Sequence, residues 1–174
     1  SSDLFGIELS QGIHPNFTNF RDTILLVDVG AKQVSSTVGH NLMHNHPFAE
    51  QRFAQAHQNL SEMLSVFKSG DLDKFIGIVE SEALTLHSMM MTSNPYFILM
   101  KPNTLEIINH IWAFRNATKI PVCFTLDAGA NVHVLYPEHY AIQVSEFIKT
   151  KLSDFCHNKQ FIEDKVGQGA VKLL

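Results

Sequence analysis

One stretch limits what this 174-residue chain can fold into more than any other: Phe124-Thr125-Leu126-Asp127-Ala128-Gly129-Ala130-Asn131-Val132-His133-Val134-Leu135-Tyr136. Cys123 to Leu126 and Val132 to Tyr136 are rich in β-branched and aromatic residues, which suit a pleated, half-buried backbone, so both read as strands. Small residues join them, and Gly129 is expected to supply the positive φ that a sharp reversal often needs. The outcome is a hairpin with one carboxylate, Asp127, at its tip. A carboxylate on rigid elements, beside backbone N–H groups that no large side chain obstructs, can orient or deprotonate a ligand hydroxyl. The alternative is that Asp127 bonds only the backbone of its own turn, as Asp often does.

Around this hairpin the apolar pattern is mostly helical. Thr23 to Val29 is an apolar run ending at Gly30, short enough for a strand buried on both faces. Residues 1–20, with Gly6, Gly12 and Pro15, read as an irregular arm. Pro47 suits a first helical position, and Ala49, Phe53, Ala56, Leu60, Met63, Leu64 and Phe67 then draw one stripe down a helix that Gly70 closes. Asp71 can cap a second helix with the stripe Leu72, Phe75, Ile76, Val79, Ala83, Leu86 and Met90, making a helical hairpin. Asn103 with Glu106 approximates a capping box for a third helix through Leu105, Ile108, Ile111, Trp112 and Arg115. A fourth runs from about Tyr140 to Cys156, and the tail from Phe161 to Leu174 adds a strand. No repeat or linker interrupts the pattern, so residues 1–174 read as a single α+β domain: an antiparallel sheet covered by about four helices.

A net charge of -4 gives no electrostatic attraction for nucleic acid or an anionic membrane, so an anionic ligand must be held by local groups. There is no apolar run of about 18 residues and no basic-then-apolar leader. Cys123 and Cys156 lack the spacing of a disulfide framework and are expected as buried free thiols in a reducing cytoplasm. His40, His44, His46 and His57 do not form a compact helical pair with a carboxylate, so no metal site is expected. Arg52 can reach phosphate or form an interhelix salt bridge. Glu80 and His87 share a helix face while Glu82 does not, which excludes a paired-carboxylate arrangement; Met89, Met90 and Met91 read as packing. Ser35-Ser36-Thr37-Val38-Gly39-His40 either brings hydroxyls and backbone donors to a ligand or forms a Ser/Thr-rich turn.

Four segments taken together, Val34 to His40, Pro47 to Phe53, Glu82 to Met91 and the Asp127 hairpin, resemble the mevalonate diphosphate decarboxylases, bacterial forms in particular. That family belongs to the galactokinase, homoserine kinase, mevalonate kinase and phosphomevalonate kinase superfamily. The likeness covers only the later half of such an enzyme. It therefore implies that this chain is the C-terminal half of a longer protein, with residues 1–20 near the junction with its own N-terminal domain. The whole enzyme would use ATP and Mg²⁺, bound mainly through that first half, to phosphorylate the tertiary hydroxyl of mevalonate 5-diphosphate and release phosphate and carbon dioxide, giving isopentenyl diphosphate. The resemblance assigns catalysis to Asp127 and substrate contact to Ser36, Thr37, Gly39, His40 and Ala128, with His40 standing where methionine is more usual. It further implies a cytoplasmic homodimer and an inactive fragment, since no phosphate-binding loop occurs in these residues. Two alternatives stay open: a small-molecule kinase of the same superfamily, and a non-catalytic dimerisation or folding module.

Overall fold

The computed structural model describes residues 12–30, 42–43 and 45–167. Four strands, β1 (Phe20–Leu25), β2 (Cys123–Leu126), β3 (Val132–Pro137) and β4 (Phe161–Lys165), form one antiparallel sheet in the order β2-β3-β1-β4. The described helices are α1 (Pro15–Thr18), α2 (Ala49–Ser69), α3 (Leu72–Met91), α4 (Pro102–Thr118) and α5 (Ala141–Phe147). The α+β architecture read from the sequence is therefore the one observed.

Alternation along the strands splits the core in two, because successive side chains point to opposite faces. Leu25, Phe124, Leu126, Val132, Val134 and Tyr136 face Ile107, Ile108 and Ile111 of α4 and Val144, Phe147, Ile148 and Leu152 after β3. On the other face, Phe20 and Cys123 pack with Phe17, Val66, Phe75, Ile76 and Ile78. Helix α3 lies against the edge strand β2 and serves both cores, giving Phe75, Ile76 and Ile78 to one and Ala83 to the other. Covering β2 in this way removes an open sheet edge beside the hairpin.

Several expectations shift. Within residues 1–20, the described part is not irregular: Pro15–Thr18 is a helical turn, and Phe17 packs tilted or edge-on against Phe20, Phe67 and Phe75 at centroid distances of 5.1–5.6 Å. Strand β1 begins at Phe20 and ends at Leu25, because beyond it the backbone turns to bond Gln160 and Leu25 itself. Pro47 lies outside α2, whose N-cap is Phe48. The α2 stripe is only partly covered: Ala49, Ala56, Met63 and Phe67 are half-buried, Phe53, Leu60 and Leu64 are 52%, 63% and 43% exposed, and the helix's fully buried residue, Val66, lies beside the stripe. Leu86 of α3 is likewise partly exposed. Gly70 ends α2 in the left-handed conformation at φ 77°, and the Asp71 carboxylate caps α3 by accepting the Lys74 N–H at 3.0 Å, both as the sequence indicates.

The third helix caps differently from the proposed Asn103/Glu106 pair. Its N-cap is Lys101, whose N–H is accepted by Thr104 Oγ1 at 3.1 Å, and Asn103 instead donates to the Phe155 carbonyl at 3.0 Å. The fourth predicted helix is α5 continued through a wide π-helical stretch, Ile148–Leu152, and a tight turn, Ser153–Phe155, leaving Cys156 at its end. Both cysteines are buried free thiols, and burial pushes the Cys156 thiol up to about 11. No helix among the described residues is long and apolar enough to cross a membrane.

Candidate active site

Asp127 follows directly on β2, and residues 127–131 form the turn into β3. Three separate elements tie this turn down. From α3, the buried His87 imidazole donates Nε2–H to the Asp127 carbonyl at 3.1 Å, an oxygen that also accepts the Gly129 N–H at 2.8 Å. From α4, Thr104 Oγ1 donates to the Ala130 carbonyl at 2.6 Å. After β1, the Asp28 N–H donates to Asn131 Oδ1 at 3.0 Å. A turn tethered to three packed elements presents its carboxylate with little freedom, as pre-organised chemistry requires.

Gly129 serves this geometry in another way than expected. Its φ does not lie in the left-handed region, where Gly12 and Gly70 are found. The constraint is space: a Cβ here would stand 3.0 Å from Asp127 Oδ1, so a larger residue would push the carboxylate aside by a few tenths of an ångström.

Asp127, Ala128, Gly129, Ala130 and Asn131 line a cleft of about 150 Å³ together with Asp28, Gly30, Ile98, Leu99 and Lys101. At its rim Lys101 Nζ pairs with Asp28 Oδ2 at 2.5 Å. That ammonium, with the Gly30 N–H, holds the Asp28 carboxyl below the usual carboxylate range. On the sheet beside the turn, the Asp22 carboxylate accepts from His133 Nδ1 at 2.9 Å and raises the imidazole's pKa against the opposing effect of burial, with the charge of Asp127 adding to the rise. His87 shows the reverse: burial lowers it below its ordinary value, so its neutral form holds the turn.

A larger groove of about 500 Å³ runs between α2 and α3, lined by Phe48, Arg52, Thr85 and Met89 among others. It gathers no acid–base chemistry, because Arg52 is committed to Glu82 by bonds of 3.0 and 2.5 Å, the interhelix pair the sequence allowed. Glu80 and His87 do more than the packing expected of them. Buried Glu80 accepts from Trp112 Nε1 at 2.9 Å and from both Arg115 terminal nitrogens at 2.6 and 3.1 Å, while Arg115 also caps the Val122 carbonyl at 2.8 Å. This network joins α3, α4 and the start of β2. His46 is a local cap: its Nδ1 accepts the Phe48 N–H at 3.2 Å, so Nε2 carries the proton toward Thr92 Oγ1 at 3.1 Å.

Ser36, Thr37, Gly39 and His40 lie outside the described residues, as does His44. Among the described residues no group of three His, Cys, Asp or Glu converges on a metal-sized space. Sequence reasoning missed Asp28, Lys101, Thr104 and Asn131 as neighbours of the turn. The available signal was the Lys101-Pro102-Asn103-Thr104 run, a helix start whose hydroxyl has two bonding options.

Fold and site define a class: a two-core α+β domain that offers one hairpin-tip carboxylate to a small cleft. Residues 23–172 match the family model of the mevalonate 5-diphosphate decarboxylase C-terminal domain, and the chain belongs to that family. A phosphomevalonate decarboxylase from Haloferax volcanii is 28% identical over 97 residues, covering 56% of this chain and 30% of that protein. The mevalonate pyrophosphate decarboxylase of Streptococcus pyogenes superposes with a TM-score of 0.77 at 24% identity, covering 89% of this chain and 47% of the other, a likeness of fold. MDDEF, solved in complex with MVAPP, AMPPCP and magnesium, has a TM-score of 0.73 at 25% identity, covering 86% and 44% of the two chains. The chain thus spans under half the length of these relatives.

Proposed function

We propose that this chain is the C-terminal half of an ATP-dependent decarboxylase that converts mevalonate 5-diphosphate to isopentenyl diphosphate, with Asp127 as its catalytic carboxylate. The observation that carries the reading is the Asp127 turn, tethered at three points and facing a cleft, within a chain of the decarboxylase family. Asp127 has two tasks available. Before reaction it accepts a hydrogen bond from the substrate hydroxyl, orienting it or taking its proton. As the tertiary C–O bond then breaks, positive charge grows on carbon, and a fixed carboxylate beside it stabilises that charge by Coulomb attraction. Ala128 supplies a small cleft wall beside it, and Ser36, Thr37, Gly39 and His40 belong to the same proposed substrate contact. ATP supplies the phosphoryl group that makes the hydroxyl a leaving group, a use supported by the MDDEF complex containing AMPPCP and magnesium, and with Mg²⁺ it is proposed to sit mainly on the preceding half. The 174 residues alone are accordingly expected to be inactive, and the whole protein is proposed to work as a cytoplasmic homodimer.

In the full-length protein, Asp127→Asn is expected to lower kcat by at least about 10²-fold, the usual loss for one electrostatic contact to a transition state. Calorimetry should still show the substrate binding. Near-normal turnover in this variant removes Asp127 from catalysis. The Haloferax relative favours a second reading, in which mevalonate 5-phosphate is the substrate. Assaying both phosphorylated substrates for released carbon dioxide separates the two, and a phosphorylated product without carbon dioxide points to a kinase.

A further inference from the structure

Among the described side chains lining the Asp127 cleft, Lys101 is the one cation, set against the carboxylates of Asp28 and Asp127. Its backbone is anchored by Thr104, the same residue that holds the Ala130 carbonyl, so the lysine and the turn share one support. Its ammonium pairs with Asp28 Oδ2 yet its side chain stays 48% exposed. An ammonium has three N–H donors, and this contact engages one. Asp28 is itself fixed, through its N–H on Asn131 at 3.0 Å and through the Gly30 N–H on Oδ1 at 2.9 Å. An anion entering a cleft with two carboxylates is repelled unless the lysine answers its charge. Ion pairs this exposed contribute little to stability, so a change of partner is inexpensive.

We propose that Lys101 is a ligand-contacting cation of the Asp127 cleft, paired with Asp28 until a ligand replaces it, and that it binds an anionic group of the substrate, carboxylate or phosphate. The proposal rests on the decarboxylase reading for the identity of that substrate. A lysine serving only to clasp the segment after β1 makes a different forecast, in which removing either partner of the pair has the same effect. Anion exchange gives effects of opposite sign.

The test uses the full-length protein and steady-state kinetics with mevalonate 5-diphosphate and, in parallel, mevalonate 5-phosphate. Lys101→Met is expected to raise KM about tenfold, the loss of one charge-assisted hydrogen bond, with kcat changed less than about twofold. Lys101→Arg should recover most of the loss, and Asp28→Asn should lower KM, because it removes the carboxylate that competes with the incoming anion for the ammonium. An unchanged KM in Lys101→Met, or an equal rise in Lys101→Met and Asp28→Asn, overturns the proposal. Calorimetric titration of unphosphorylated mevalonate and of inorganic diphosphate into wild type and Lys101→Met assigns the group: weakened mevalonate binding identifies the carboxylate, weakened diphosphate binding the phosphate, and no weakening of either rejects the role. A wild-type protein that turns over neither phosphorylated substrate removes the decarboxylase reading, while the titrations still decide the role of Lys101.

Discussion

At the scale of single residues, two histidines near the Asp127 turn respond to acid in opposite directions. His133 has a raised pKa because the Asp22 carboxylate accepts its hydrogen bond, so its stabilising charge is fully present below the unfolded value of 6.5 and is lost as pH rises through the higher folded value. His87 has a lowered pKa because it is buried, so its contribution is present above 6.5 and declines as pH falls, when the unfolded chain takes up a proton that the folded one resists. Resolved imidazole titrations by NMR should place His133 above and His87 below that value. Asp22→Asn should return His133 toward it, and an unmoved His133 would show that the pair does not govern its charge. Neither partner choice was legible in the sequence. The Asp22–His133 contact spans 111 positions, and His87 meets a backbone carbonyl, which no residue type announces.

At the scale of elements, helix ends with a local cause were the readable part and helix faces were not. Gly70 and Asp71 terminate and start helices through their own conformational freedom and side-chain oxygen, so the α2–α3 junction follows from two adjacent residues. The start of α4 misled because several adjacent residues suit a helix N-terminus, and the bond from Lys101 N–H to Thr104 was the pairing formed. The amphipathic stripe of α2 has helical period but no full partner among the described residues, since period reports which residues share a side and says nothing of what packs there. The mutual arrangement of α3, α4 and β2 depends on Glu80. Glu80→Ala would leave the Arg115 guanidinium, 22% exposed, without its carboxylate and is expected to cost about 3 kcal/mol in urea unfolding. A loss under about 1 kcal/mol would mean that water replaces the pair.

At the scale of the whole molecule, the two cores share one sheet and so should unfold together. The aromatic cluster of Phe17, Phe20, Phe67 and Phe75 lies in one core, while Trp112, the chain's single tryptophan, packs against the other. Phe75→Ala is expected to destabilise by about 3–5 kcal/mol. Tryptophan fluorescence and far-ultraviolet dichroism should shift to the same lower midpoint; separate midpoints would make the cores independent. The sequence by itself determined the α+β class, the hairpin around Asp127 and the α2–α3 junction, because β-branched runs, helical periodicity and capping residues act over a few neighbouring positions. Only the tertiary structure decided the strand order, the three tethers of the Asp127 turn and the meeting of Lys101, Asp28 and Asp127 in one cleft. Those contacts join residues tens of positions apart, and their partners are selected by packing geometry and the need to satisfy buried polar groups, which the order of side chains along the backbone does not encode locally.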